Sequence, residues 1–313
     1  MQVQDSPQHF LDTSVLRSLL LGTQAYQQYL NSNLAERPLY ISNYIQMEMK
    51  RSYLMNIISF YFVLRLETIQ TIGDAITFWS NRFKTSQLKA ILQLVPQLFS
   101  THQLDLSRSQ DKEKALQILG LYIKRFELLL RKKYANIGQD ATACARAIVP
   151  LKVELNNLAE GLKRFTDEFG DVETCRSQCK IDEFLLDRYR QEVESYIEQA
   201  SQLPKTNETR GFIRIADNLR EILEQGATAT SCKRCEKIGD VVIALNAPRQ
   251  MRLEHTDNSF DYLCPPIEQP HYKHPSENQV LIALPRQVRT FLLLPVACCL
   301  LPFGINLCPN VCA

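Results

Sequence analysis

A chain of 313 residues with 45% hydrophobic and 22% charged side chains has the makings of a real core, in one large domain or two small ones. Its formal net charge of +2 excludes a strong overall field, so any attraction to nucleic acid must come from a local patch. Ten glycines and one tryptophan, set against long runs rich in Leu, Ile, Gln, Glu and Lys, favour helices over a sandwich or barrel.

Residues 9–11 are a short apolar lead-in to Asp12, and from Ser14 the run VLRSLLLGTQAYQQYL has helical spacing, so strand then helix is expected. PLYI at 38–41 is a second short strand candidate, and Asn43 begins a helical stretch expected to run with few breaks to about Phe83. Amphipathic segments follow near 86–99, 111–134, 152–169, 180–202 and 210–225, separated by polar or proline-containing joints. A short helix is then expected over 239–248, with Asp240 as a cap-like residue at its start, and a strand over 251–255. The last stretch, 291–313, is apolar, but Pro295 and Pro302 interrupt it, and a membrane span needs about 20 continuous helical residues. It is expected to be a packed or sticky tail, or sequence foreign to the evolved domain.

Four motifs place one carboxylate each where an apolar element begins or ends: FLDTSVL at 10–16, YIQMEM at 44–49, GDVVIA at 239–244 and LEHTDNSF at 253–260. Singly, each acid has a plain structural explanation. Asp12 and Asp240 suit helix N-caps, Glu48 a solvated helix face and Asp257 a turn. Together, their placement suits a site at the carboxyl ends of parallel strands, where an open α/β sheet offers its crevice.

In order and local context these motifs resemble the PIN-domain family of nucleases. That family's pattern opens with Asp-Thr-Ser after a hydrophobic strand, places an acid on a following helix and another Asp at a late helix start, and closes on a Thr and Asp motif followed by Phe. Asp12, Glu48, Asp240, Asp257 and Phe260 stand at the matching positions, and Ser14 supplies the hydroxyl beside the first acid. The resemblance covers about 8–85 and 236–265 and leaves the long helical insertion between them unexplained. It implies a three-layer α/β/α core with a mainly parallel central sheet, in blocks 1–100 and 236–290. These flank an all-helical insertion at 101–235 and precede the tail at 291–313.

The implied activity is divalent-metal-dependent endonucleolytic cleavage, of RNA more than DNA, with 5′-phosphate and 3′-hydroxyl products and a toxin or defence role as one setting. Hard carboxylate oxygens suit Mg²⁺ or Mn²⁺. The implied roles are Asp12, Asp240 and Asp257 as metal ligands, Glu48 as the residue that orients or deprotonates the attacking water, and Ser14 and Thr256 as supporting hydrogen-bonders. A rival expectation is a non-catalytic scaffold of the same fold, its insertion binding a protein partner or nucleic acid. An inhibitory protein partner is compatible with either.

Ten cysteines in a chain whose start, MQVQDSPQHF, carries no basic region followed by an apolar stretch suggest a reducing cytoplasm, where grouped cysteines more often bind metal than bridge. Cys175 and Cys179 with Cys232 and Cys235 have the ligand number of a structural Zn²⁺ site, against the alternatives of a disulfide or redox pair and of free, unconnected thiols. Lys233, Arg234 and Lys237, next to Asp240 in sequence, are the nearer candidates for phosphate contact. Lys124, Arg125, Arg131 and Lys132 form a second group on one side of a helix, a placement that equally suits a solvated face.

Overall fold

The computed structural model describes residues 8–34, 38–82, 91–92, 94–95, 104–133, 135–136, 149, 151, 155–171, 179–226 and 232–283. The tail at 291–313 and most of the segment near 86–99 lie outside the described residues. The chain divides into two compact units: Met1–Met55 with Lys124–Glu277, and Asn56–Ile123 with Asn278–Ala313. These divisions fall at different positions from the blocks drawn on the sequence.

The first unit is built on a parallel sheet of β1 (Gln8–Leu11), β2 (Leu39–Ile41), β3 (Ala135–Asn136), β4 (Met251–His255) and β5 (His271–Lys273), in the order β3-β2-β1-β4-β5. His9, Phe10 and Leu11 of β1 are all buried. Because successive strand residues point to opposite faces, three buried in a row mean that both faces of the central strand are covered, as parallel sheets require. The expected strands at 9–11, 38–41 and 251–255 are present. β3 and β5 are additions, and β3 comes from within the stretch read as all-helical, so that stretch contributes to the sheet.

Helices α1 (Thr13–Leu21), α2 (Gln24–Leu34) and α3 (Asn43–Met49) belong to the first unit. A turn of π-helix, Lys50–Leu54, extends α3 into α4 (Met55–Leu64), and α5 (Ile72–Ser80) follows. The expected near-continuous helix from 43 to 83 is therefore interrupted after Leu64. The cause is written in Thr71 and Asp74, which form a reciprocal capping box and start a new helix. The second unit packs Ile57, Phe60 and Leu64 of α4, Trp79 of α5, and Leu119 and Ile123 of the long helix α6 (Ser109–Lys133) as fully buried residues.

Further along come α7 (Leu158–Gly170), α8 (Ile181–Arg188), α9 (Arg190–Gln202), α10 (Arg210–Gln225), α11 (Cys232–Lys237), α12 (Gly239–Asn246), α13 (Phe260–Leu263) and α14 (Glu277–Ala283). Buried Phe212, Ile215, Ala216, Leu219 and Ile222 give α10 a single apolar stripe that packs on α9. In α12, by contrast, Val241 through Leu245 are all buried, so this helix is enclosed on every side. Among the described residues no helix is long and apolar enough to cross a membrane.

A polar network ties the middle of the sheet together. Glu254 on β4 is fully buried and accepts hydrogen bonds from His9 on β1, from His274 Nε2 at 2.8 Å and from Arg252 Nε at 2.6 Å. Burial pushes its carboxyl upward, but the bonds from His274, His9 and Arg252 outweigh that and set it at about 2. A depressed carboxylate stabilises the fold above its unfolded value near 4.5 and loses that contribution as pH falls toward about 2. Glu254→Gln is expected to lower the unfolding free energy by about 1.5–3 kcal/mol, the worth of hydrogen bonds to a charged group, seen as a lower denaturant midpoint at unchanged slope. The difference from wild type should shrink between pH 4.5 and 2. A variant as stable as wild type at pH 7 would show that the network contributes nothing.

Candidate active site

The strand order itself makes a crevice. From β1 the chain proceeds to β2 and β3 on one side, and it returns to β4 and β5 on the other. Connections leaving the adjacent strands β1 and β4 therefore diverge, and the gap opens at their carboxyl ends. Asp12 directly follows β1, and Thr256 and Asp257 directly follow β4. Asp12 N–H donates to the Glu254 carbonyl at 2.9 Å, and Thr256 N–H donates to Ser14 Oγ at 3.3 Å, which holds the two strand ends side by side.

Asp12 is the N-cap of α1, accepting from Thr13 N–H at 2.6 Å, from Ser14 N–H at 3.0 Å and from the Ser14 hydroxyl. The helix-cap reading of this residue is thus right, but it does not exhaust it. Cap aspartates normally meet water, whereas this one is only 4% exposed and feels the charge of Asp257.

Glu48 lies in the second turn of α3, which starts just after β2 on a Ser42 cap. Its Oε2 accepts the Thr13 hydroxyl, its Oε1 is 3.8 Å from Arg51, and Arg51 also reaches Glu236 at 3.4 Å. The π turn begins two residues later, a local widening that recurs at functional positions. Asp240 sits in the first turn of α12. The N-cap is Ile238, which makes no side-chain cap bond, so the expectation that Asp240 caps this helix is corrected: Asp240 is the second residue of the helix, two positions past the cap. Freed from capping, its carboxylate accepts from Ser259 and lies in the field of the other acids.

Gly239 sets how closely α12 approaches α3. A β-carbon there would stand 2.7 Å from Glu48 Oε1 and 3.0 Å from Tyr44 Oη, so only glycine fits without displacing them. Tyr44 in turn donates to the Cys235 carbonyl at 2.7 Å, anchoring α3 to α11.

Burial pushes the Asp12 carboxyl up against the pull of its Ser14 and Thr13 bonds, and Asp257 adds to the rise. Asp240 is raised well above the usual range, first by burial and then by the negative charges of Asp12, Asp257 and Glu48. Glu48 is pushed to about 7 by burial, which the Thr13 bond and Arg51 only partly offset. Each of the four acids therefore acts on at least one other, and they form one electrostatic group. The group is open: among the described residues the trio whose ligand atoms all lie within 4.8 Å of one another is His255, Asp261 and His271, and not a set from the quartet.

Ser14 bridges Asp12 and Thr256 as described, while Thr256 takes part through its backbone. Asp257 is exposed, and its Oδ1 accepts from Ser259 N–H at 2.8 Å. Cys179 and Cys235 meet with their sulfurs 3.4 Å apart as free thiols. Cys175 lies outside the described residues, as do the side chains of Cys232, Lys233, Arg234, Arg131 and Lys132. Lys237, Lys124 and Arg125 are exposed. The cation acting on Glu48 is instead Arg51, and sequence reading passed over it along with Thr13, Gly239 and Ser259. The signal for Thr13 and Ser259 was available, since both are hydroxyl residues inside motifs already singled out.

Raised carboxyls fix a direction for stability. Between pH 4.5 and about 7 the folded chain holds a proton on Glu48 that the unfolded chain has released, so in EDTA rising pH favours unfolding across this window. Asp240→Asn is expected to raise the melting temperature at pH 7.5 in EDTA by roughly 2–4 °C, and excess Mn²⁺ is expected to stabilise the wild type but not the variant. A variant that melts lower in EDTA would contradict the repulsion. Comparison of the chain with family models, with curated proteins and with solved structures gave no match.

Proposed function

We propose that the first unit is a divalent-metal-dependent phosphodiester hydrolase, an endonuclease that cuts RNA in preference to DNA. The observation that carries this reading is the meeting of Asp12, Glu48, Asp240 and Asp257, distant along the chain, in the crevice between β1 and β4. Buried acids that repel one another are costly to hold together unless a cation neutralises them, and an all-oxygen donor set fits Mg²⁺ or Mn²⁺.

Asp12, Asp240 and Asp257 are the residues to hold such an ion, directly or through its waters. When bound, it supplies charge stabilisation at the phosphoryl oxygens and an acidified water. Glu48 takes the proton of the attacking water. Its carboxyl, near 7, is matched to that task at neutral pH, and the Thr13 hydroxyl holds its orientation. Ser14 fixes the Asp12 carboxylate against rotation. A cavity of about 350 Å³ lined by Thr256, Asp257, Ser259 and Asn207 offers space beside the acids for a nucleic-acid strand. The resemblance to PIN-domain nucleases implies products with a 5′-phosphate and a 3′-hydroxyl.

The Cys179–Cys235 pair supports the structural Zn²⁺ expected of the clustered cysteines, of which Cys175 and the Cys232 side chain lie outside the described residues. The 3.4 Å sulfur separation is far beyond the roughly 2.05 Å of a disulfide and close to the roughly 3.8 Å between thiolates on one tetrahedral zinc.

With mixed RNA and single-stranded DNA as substrates, cleavage is expected in Mn²⁺ or Mg²⁺ and not in EDTA. Asp12→Asn and Asp240→Asn should each reduce it at least about 100-fold while circular dichroism stays unchanged, and Glu48→Gln should also flatten the pH profile near 7. A wild-type chain without cleavage, or mutants as active as wild type, would sink this reading.

A further inference from the structure

The geometry points to a second metal centre, made by His255, His271 and Asp261, that takes a Zn²⁺-class cation and braces the loop carrying Asp257. It does not rest on the nuclease reading. The three residues come from the end of β4, the start of β5 and α13 between them, and their ligand atoms all lie within 4.8 Å of one another. His255 is fully buried, and His271 and Asp261 are half-buried, which leaves an ion a way in.

The tautomer of His255 is set by its surroundings. Its Nδ1 lies 2.9 Å from the carbonyl oxygen of Asp257, which can only accept, so Nδ1 carries the proton and Nε2 presents a lone pair. Metal-bound histidines are commonly fixed by such a bond from the far nitrogen to a backbone carbonyl. His255 Nε2 stands 3.1 Å from His271 Nδ1. Two metal–nitrogen bonds of about 2.0–2.1 Å spanning that gap would subtend roughly 95–100°, slightly under the tetrahedral angle of about 109°.

Two imidazoles with one carboxylate favour Zn²⁺, Co²⁺ or Ni²⁺ over Mg²⁺, so this centre and the acid quartet select different ions. A fourth position stays open to water. Asp261 also accepts from Lys273 through Oδ2, and the other carboxylate oxygen remains available. Lys273 is therefore a competing cation in the metal-free state. Without a metal, the pair of rings is simply joined by a hydrogen bond from His271 Nδ1–H to His255 Nε2. The segment between His255 and Asp261, residues 256–260, holds Asp257 and Ser259, so a cation bound to both ligands restrains that loop from both ends.

The test uses the EDTA-stripped full chain titrated with Zn²⁺, comparing wild type, His271→Gln and Lys273→Gln by bound-metal stoichiometry, affinity and melting temperature. Taking the difference between wild type and His271→Gln removes any zinc held by the clustered cysteines or the acid quartet. The expected result is about one ion fewer per chain in His271→Gln, or a dissociation constant for that ion raised at least about 100-fold, together with loss of the matching zinc-dependent rise in melting temperature. Lys273→Gln, which removes the competing charge at a partly exposed position, is expected to tighten binding several-fold. Should His271→Gln fail to fold, the Lys273→Gln titration decides alone. Equal stoichiometry and affinity in wild type and His271→Gln, or no change of affinity in Lys273→Gln, would overturn the proposal and leave a hydrogen-bonded histidine pair.

Discussion

The repulsion among carboxylates brought together in a partly dry crevice is the constraint on which the rest of the first unit depends. Burial alone disfavours the charged form of Asp12, Glu48 and Asp240, and mutual proximity disfavours it further. A fold that merely needed a helix cap, a helix-face residue and a first-turn acid would keep them apart in water. Here Asp12 is oriented by its own cap bonds from Thr13 and Ser14, and bonds between distant segments hold the others in place: the Thr13 hydroxyl on Glu48 and Ser259 on Asp240.

Parallel topology explains why four distant acids can meet. Helix α3 follows β2 and therefore starts at the carboxyl edge of the sheet, while α12 precedes β4 and presents its first turn to that same edge. Gly239 then allows the close approach of α12 to α3, and the buried Glu254 network keeps β1 and β4 in register beneath the crevice. Sheet stability and site geometry are thus set by neighbouring residues on one strand, with Glu254 and His255 facing opposite ways.

Much of the positioning was legible in the sequence because it rests on local patterns. The apolar lead-in before Asp12, the strand at 251–255 and the stripe of α10 are short-range signals that tertiary contacts did not override. What escaped was fixed by long-range pairing. β3 and β5 are two and three residues long, too short to show alternation, and they exist because β2 and β4 offer them an edge. The break between α4 and α5 was readable from Thr71 and Asp74 but was hidden by the apolar run before it. At the site, the acids could be read from motif order, whereas Arg51, Gly239 and the pairing of His255 with His271 depend on which helices and strands face one another.

Whether the acids share a cation is read most directly by anomalous diffraction from crystals of the full chain grown with Mn²⁺. A manganese peak is expected in the crevice between the ends of β1 and β4, with carboxylate oxygens of Asp12 and Asp240 or their bridging waters in its coordination shell. Crystals in which manganese is absent from that crevice, while Asp12, Glu48 and Asp240 stay together without it, would contradict the claim.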